Sequence, residues 1–163
     1  MTALLISLVL MVCVVTAIAA ESGTGSMMIE VPNVVLPGWG GFKIPANTTE
    51  VKMPMYNPIR NADWYNLTFE VWAALPEDQI AEDAETQIVQ KADENGNINE
   101  TLYVLLYRSE QIAPGEEIEH VTLMQPLRAG KYEMFVHMQP YFIKSGEQVP
   151  NNGNLSIYLD VLK

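Results

Sequence analysis

From residue 50 onwards, apolar and polar residues alternate along much of the chain. The apolar positions of the clearest run are Tyr65, Leu67, Phe69, Val71 and Ala73. The same alternation recurs within residues 50–55, 131–138 and 155–161. A period of two places successive side chains on opposite faces of an extended backbone, so each run predicts a half-buried β-strand.

Two further apolar runs complete the predicted strand set. Residues 102–107 are almost continuously apolar, which is typical of a central strand, and residues 118–123 form a weaker strand. Pro54 predicts an edge position for the strand that contains it, because proline donates no hydrogen bond to a ladder. Turn sequences separate the runs: Asn57-Pro58, Pro114-Gly115, Ala129-Gly130, Ser145-Gly146 and Asn151-Asn152-Gly153. With no long amphipathic helix between them, residues 38–163 are predicted to form an immunoglobulin-like antiparallel β-sandwich of seven or eight strands.

The segment Gly130-Lys131-Tyr132 opens one predicted strand in the manner of a tyrosine corner. In that motif a tyrosine hydroxyl ties down a connection between the two sheets. The single cysteine, Cys13, allows no internal disulfide, so the sandwich must depend on core packing.

Residues 76–100 interrupt the alternation and are predicted to be a surface-facing insertion. The eight acidic residues there are Glu77, Asp78, Glu82, Asp83, Glu85, Asp93, Glu94 and Glu100. Ile80, Ala84 and Ile88 would share one face of a short helix. Alternatively, residues 86–91 pair with residues 100–107 through Asp93-Glu-Asn-Gly96, a hairpin signal that we favour slightly.

The chain begins with an uncharged apolar segment. Residues 3–20 would span about 27 Å as a helix, close to the thickness of a hydrocarbon core. One interpretation is a signal peptide cleaved after Ala17-Ile18-Ala19, although no basic residue precedes the apolar run. The other is a retained transmembrane anchor. Either interpretation predicts an exported protein, which is membrane-anchored or secreted. Residues 1–20 are then the signal peptide or anchor, and residues 21–37 are a linker and possible extra strand.

The charge of the chain excludes one large class of partners. Twenty acidic and nine basic residues give a net charge of −11, whereas nucleic-acid binding needs a basic surface. We therefore expect no nucleic-acid partner.

No motif for catalysis, a metal or a cofactor stands out. The spacing of the Asp93 segment fails the EF-hand pattern, because Gly96 stands at position 4 and Val104 at position 12. His120 and His137 lie on different predicted strands without metal-ligand spacing, and there is no Gly-x-Ser-x-Gly elbow. We expect a protein that is not an enzyme and that carries no cofactor or metal.

Aromatic residues are the better candidates for a functional site. Trp39 and Phe42 lie in or beside the glycine-rich segment 37–42, and Trp64 and Trp72 are predicted to face away from Leu67. Because tryptophan is enriched at interaction hot spots, these four aromatic residues are the predicted partner-binding site. Residues 28–36 are apolar and β-prone, and could add as a strand to their own sheet or to a neighbour's edge.

An ordered series of short motifs resembles small exported β-sandwich proteins of anaerobic Gram-positive gut bacteria. The motifs are Trp39-Gly-Gly-Phe-Lys-Ile-Pro45, Tyr56-Asn-Pro58 with Asn61 and Phe69, Leu106-Tyr-Arg-Ser109, Ile112-Ala-Pro-Gly115, Pro126-Leu-Arg-Ala-Gly-Lys-Tyr132, Gln139-Pro-Tyr141 and Asn151-Asn152. The resemblance implies a β-sandwich behind an N-terminal anchor or signal, with no established catalytic activity. The chain departs from it in the long insertion 76–100 and in its uncharged start.

Three functions fit these observations. The first is a non-catalytic cell-surface or secreted β-sandwich that acts by protein–protein contact in a surface assembly. The second is a pilus or filament subunit that uses its N-terminal segment for polymer packing or strand donation. The third is a carbohydrate-binding module that uses exposed aromatic residues. Expected partners are thus a protein at the cell surface or further copies of this chain, and a membrane if residues 1–20 are retained.

Overall fold

The computed structural model describes residues 33–163, which fold into strands joined by turns and two short 3-10 helices. The strands are β1 (Phe42–Pro45), β2 (Glu50–Tyr56), β3 (Tyr65–Ala73), β4 (Thr86–Ala92), β5 (Ile98–Arg108), β6 (Glu117–Thr122), β7 (Gly130–Phe142) and β8 (Gly153–Leu162). The 3-10 helices are Ile59–Asn61 and Glu77–Gln79. The predicted apolar helix at residues 1–20 lies outside the described residues.

The eight strands form two sheets. One has six strands in the order β1-β8-β7-β3-β5-β4, and the other pairs β2 with β6. The prediction of an all-β, sandwich-like fold is confirmed. The prediction that all pairs are antiparallel is wrong at one place, because β1 runs parallel to β8. Parallel strands need a long connection, and here most of the chain lies between β1 and β8. No local turn sequence therefore predicts this pairing.

Alternation along the strands builds the core between the sheets. The alternate residues Leu67, Phe69 and Val71 of β3 are fully buried, and Val51 and Met53 of β2 pack into the same cluster from the facing sheet. Pro54 interrupts the pairing of β2 with β6, since the register shifts between Lys52 and Met55. As predicted, β2 is an edge strand.

The continuously apolar run in β5 reflects a central strand that contains a bulge. β5 lies between β3 and β4, and its register against β3 shifts where Val71 pairs with Tyr107 but Trp72 pairs with Leu105. A bulge inserts one extra residue, here Leu106, into the ladder. The run is continuously buried because both faces of β5 are covered. Val104 and Leu106 pack in the main core, and Tyr103 and Leu105 pack in a second cluster on the outer face.

The tyrosine corner predicted at Tyr132 is present. The connection from β6 to β7 crosses from the two-stranded to the six-stranded sheet. The Tyr132 hydroxyl donates a 2.8 Å hydrogen bond to the carbonyl oxygen of Arg128 in that connection. Gln79 Nε2 donates to the same hydroxyl oxygen at 3.1 Å, which joins the second 3-10 helix to the corner.

Two buried asparagines hold the segment that precedes β1. Asn57 and Asn61 are each 1% exposed, and Asn61 Nδ2 donates to Asn57 Oδ1 at 2.7 Å. Asn61 also donates to the Val35 carbonyl at 2.8 Å and accepts from the Val35 amide at 2.9 Å. Residues 33–39 form no regular strand, so the extra strand considered for residues 34–36 is absent. Its other part, residues 28–31, lies outside the described residues.

Within residues 33–163, no helix has the length and apolarity needed to cross a membrane.

Candidate interaction surface

Trp39 and Phe42, two of the four predicted contact residues, lie together against the core. Phe42 is 6% exposed, and its ring centroid is 5.8 Å from that of Trp39. Trp39 also packs edge-on against Tyr56 and Phe69, with centroids about 6 Å apart. Its indole Nε1 is buried without a hydrogen-bond acceptor among the described residues. The packing shows that this pair stabilises the fold, and a role in binding stays a prediction.

Trp64 and Trp72 occupy different positions on β3 or beside it. Trp72 faces away from the main core, as predicted, but is only 5% exposed because it stacks on Phe135 with centroids 6.2 Å apart. Its Nε1 donates to Glu70 at 3.1 Å. Trp64 precedes β3 and is partly exposed, with Lys144 Nζ 5.9 Å from its ring centroid. The structure therefore does not gather the four aromatic residues into one patch.

The outer face of the six-stranded sheet contains a polar recess of about 290 Å³ above this aromatic pair. Polar side chains such as Gln87, His137 and Asn154 line it. Trp72 and Phe135 are at most 9% exposed, so they offer little ring surface. A flat aromatic platform for a sugar ring is therefore not available in this recess.

The acidic insertion contains the hairpin alternative rather than the helix. β4 pairs with β5 in an unbroken antiparallel register from Thr86 opposite Val104 to Ala92 opposite Ile98. The turn between them is closed by Asp93, whose Oδ1 accepts hydrogen bonds from the backbone amides of Asn95 and Asn97. Ile80 and Ala84 lie before β4 and pack against the core edge.

One face of this hairpin exposes a stripe of apolar side chains. On β5, Val104 and Leu106 belong to the core, while Leu102 on the same face is 38% exposed and Ile98 is 61% exposed. Ile88 of β4 pairs with Leu102 and is 62% exposed. The core-facing side of the six-stranded sheet thus continues along the hairpin, where Leu102 borders a cavity with Ile80. The hydrogen-bonded pair Gln90–Glu100 separates Ile98 from Ile88 and Leu102 on this face. We call Ile88, Ile98 and Leu102 the apolar stripe.

The opposite face of the hairpin is fixed to the sheet. Lys91 of β4 donates to the hydroxyl of Tyr103 at 2.8 Å and to the carboxylate of Glu133 on β7. The hydrogen bond from Lys91 lowers the pKa of Glu133, and the same contact raises the pKa of Lys91. The hairpin is therefore held in place from one side, and among residues 33–163 the apolar stripe on the other side stays exposed.

β4 also provides a strand edge that lacks the usual protection. Edge strands avoid unwanted pairing when they are short, bulged or rich in charge and proline. Among the described strands, β1 has four residues and ends at Pro45, β2 contains Pro54, and β6 carries Glu117 and Glu119. β4 has seven residues in continuous register, and its one charged residue, Lys91, is paired. Its edge is the most open to an added strand.

A second exposed apolar region lies at the other end of the molecule's core. A groove of about 540 Å³ is bordered by Tyr56 and Ile59, which are 37% and 67% exposed. Its backbone is already paired, because Asn57 donates to the Glu116 carbonyl and accepts from the Gly115 amide. This groove offers apolar contact without a free strand edge, so the hairpin is the stronger candidate.

The structure also places the residues considered for metals. Hydrogen bonds from the side chain and backbone of Asn97 hold the pKa of Asp93 below its usual value, so this carboxylate caps its own turn. His120 lies on β6 and His137 on β7, in different sheets, and His137 Nδ1 is 2.7 Å from Asn154 Oδ1. Within the described part of the chain, no three His, Cys, Asp or Glu side chains are grouped to hold a metal ion.

Sequence reasoning missed the apolar stripe for an identifiable reason. The segment is strongly acidic and is predicted to face the surface, and its only apolar pattern considered is the helical spacing of Ile80, Ala84 and Ile88. The signal was present in the alternation, since Ile98, Glu100 and Leu102 continue the core-facing positions of β5 into a region without a facing strand.

Comparisons with known proteins add little to this geometry. No protein-family model matches the chain, and no curated protein is similar to it in sequence. Among solved structures, it is similar to AggA, the major subunit of aggregative adherence fimbriae type I from Escherichia coli. The identity is 11% and the TM-score 0.34, over 80% of this chain and 100% of that chain. A similarity at this level assigns no function to the chain.

Proposed function

We propose that this protein is a non-catalytic, immunoglobulin-like β-sandwich that acts by protein–protein contact in an assembly at the cell surface or outside the cell. The contact region is the β4–β5 hairpin. The observation that carries the proposal is the apolar stripe beside the edge of β4 that no described strand covers. Ile88, Ile98 and Leu102 are 62%, 61% and 38% exposed. Single exposed apolar residues are ordinary, whereas Ile88 and Leu102 face each other across the paired strands and Ile98 stands on the same face, which favours a contact site beside this edge.

Export is supported by the sequence of residues 1–20, which fits either a cleaved signal peptide or a retained anchor. The resemblance to exported β-sandwich proteins of Gram-positive gut bacteria supports the same location. The tyrosine corner at Tyr132 supports the immunoglobulin-like assignment.

Site-specific photo-crosslinking in the cells that produce the full chain tests the contact region. A photoreactive amino acid replaces Ile88 or Ile98 in two variants, and Tyr158, 55% exposed on β8, in the control. We expect protein adducts from positions 88 and 98 upon illumination, and few from position 158. Equal yields at all three positions, or no adducts at the hairpin, would contradict the proposal.

The same gel separates the alternative functions. A ladder at multiples of the chain's own mass indicates a filament subunit, and a discrete adduct of another mass indicates a different protein partner. An adduct that a glycosidase removes indicates carbohydrate binding, which would replace the present proposal.

A further inference from the structure

The charges around β4 indicate what kind of partner its edge accepts. Exposed acidic residues flank both ends of the strand: Glu82, Asp83 and Glu85 before it, Asp93 and Glu94 after it. Glu85 is paired with Arg108 at 2.9 Å, and Asp93 caps the turn. Between these ends the strand carries no acidic residue, and its side chains alternate across the two faces of the sheet.

The β4 edge of a second copy fits this edge poorly. In an antiparallel pair of β4 strands, residues 82–85 of one copy would lie beside residues 93–94 of the other, so like charges would face each other at both ends. Like charges placed opposite one another on paired strands are destabilising. Each copy also carries a net charge of −11, which adds a general repulsion.

A basic partner segment has the complementary pattern. Seven residues of β4 span about 23 Å at about 3.3 Å per residue. A strand added to this edge would bring its own ends close to the two acidic groups, and its alternate side chains onto the face that carries Ile88. Backbone hydrogen bonds would supply affinity, while charge and apolar contacts would supply specificity.

We propose that the edge of β4, which no described strand covers, binds an extended segment of a partner protein, with basic side chains at both ends and alternating apolar side chains between them. This inference rests on the proposed function, since it specifies the chemistry of the partner at the same hairpin. The basic groups of the segment stand roughly seven to nine residues apart, to match the length of β4.

Labelled synthetic peptides test this chemistry on the full chain. The first is a nine-residue peptide with two lysines at each end and alternating threonine and isoleucine between them. The second replaces the lysines with glutamates, and the third has a proline at the central position. We expect the lysine peptide to bind and the other two to bind at least about tenfold more weakly. Hydrogen exchange of the β4 amides that point away from β5 should slow only with the first peptide.

The salt dependence of binding tests the contribution of charge, and two matched variants test the position of the site. Raising salt from 0.1 M to 1 M shortens the Debye length from about 10 Å to about 3 Å, so binding of the lysine peptide should weaken. Ile88→Lys should weaken it by about tenfold or more, whereas Met124→Lys, at a site 58% exposed outside the hairpin, should leave it unchanged.

Four results would overturn the inference. They are equal binding of lysine and glutamate peptides, protection confined to amides outside β4, protection in the free chain of the β4 amides that point away from β5, and self-association that competes with the peptide. If any of these occurs while crosslinks still form at positions 88 and 98 in cells, the basic-partner inference fails and the proposed function stands. If those crosslinks are absent too, both fail.

Discussion

Replacing Asn61 with leucine tests how the segment before β1 is held to the sandwich. The substitution keeps the side chain close to its size but removes the amide. Three hydrogen bonds of 2.7–2.9 Å are lost, two with the backbone of Val35 and one with Asn57 Oδ1. Because Asn61 is 1% exposed, water cannot readily replace them.

The expected loss of stability follows from these contacts. Asn57 Oδ1 becomes a buried acceptor without its donor, which costs about 1–3 kcal/mol. The Val35 amide and carbonyl are partly accessible, and each lost bond there costs about 0.5–1 kcal/mol. The sum is about 2–5 kcal/mol, which corresponds to a fall in Tm of about 6–20 °C for a domain of this size.

Urea unfolding followed by tryptophan fluorescence measures the change in the free energy of unfolding. Limited proteolysis reports the segment itself, since release of Val35 should speed cleavage within residues 33–38. Asn66→Leu is the matched control, because its hydrogen bond to Gln111 lies at the surface, and it should change stability by less than about 0.5 kcal/mol. If Asn61→Leu behaves like this control in both assays, the role assigned to the buried amide is refuted.

Two further predictions concern the aromatic core and the base of the hairpin. Trp39→Ala should destabilise the chain by about 2–4 kcal/mol, because three ring contacts are lost. Trp39→Phe should cost less than about 1.5 kcal/mol, since it also removes the unpaired indole N–H; equal losses for both would contradict the packing argument. The hydrogen bond from Lys91 lowers the pKa of Glu133 in the folded chain. The pair therefore stabilises the fold above the unfolded pKa of about 4.3, and this stabilisation is lost as the pH falls through the lower pKa of the folded state. The stability difference between the wild type and Glu133→Gln should therefore shrink from pH 5 to pH 3 in urea titrations, and a constant difference would show that the contact does not matter.

The sequence predicts most strands because their alternation is local. β3 matches the predicted residues 65–73, and the edge position of Pro54, the central position of β5 and the hairpin at Asp93 are all present. β1 is not predicted, because its partner β8 is distant in the sequence and the two strands pair in parallel. Local patterns contain no information about such a contact.

The contact surface is harder to predict, because exposure is a property of the assembled sheets. Trp72 alternates as an outward-facing residue, yet Phe135 from a neighbouring strand covers it. Ile88 and Ile98 alternate as inward-facing residues, yet the facing sheet does not reach them. Hydrophobicity and period identify the face of a strand, whereas the extent of the opposite layer decides which positions on that face are buried.

Thiol labelling on intact cells tests the claim that the hairpin is a contact surface most directly. Ile98→Cys and, as control, Tyr158→Cys are made in the full chain, at positions 61% and 55% exposed. A membrane-impermeant maleimide is then applied to cells and to purified protein. We expect the cysteine at position 98 to react about tenfold more slowly on cells than in the purified chain, with equal rates at position 158, because the assembly covers the hairpin. Equal rates at position 98 in both settings would contradict the account.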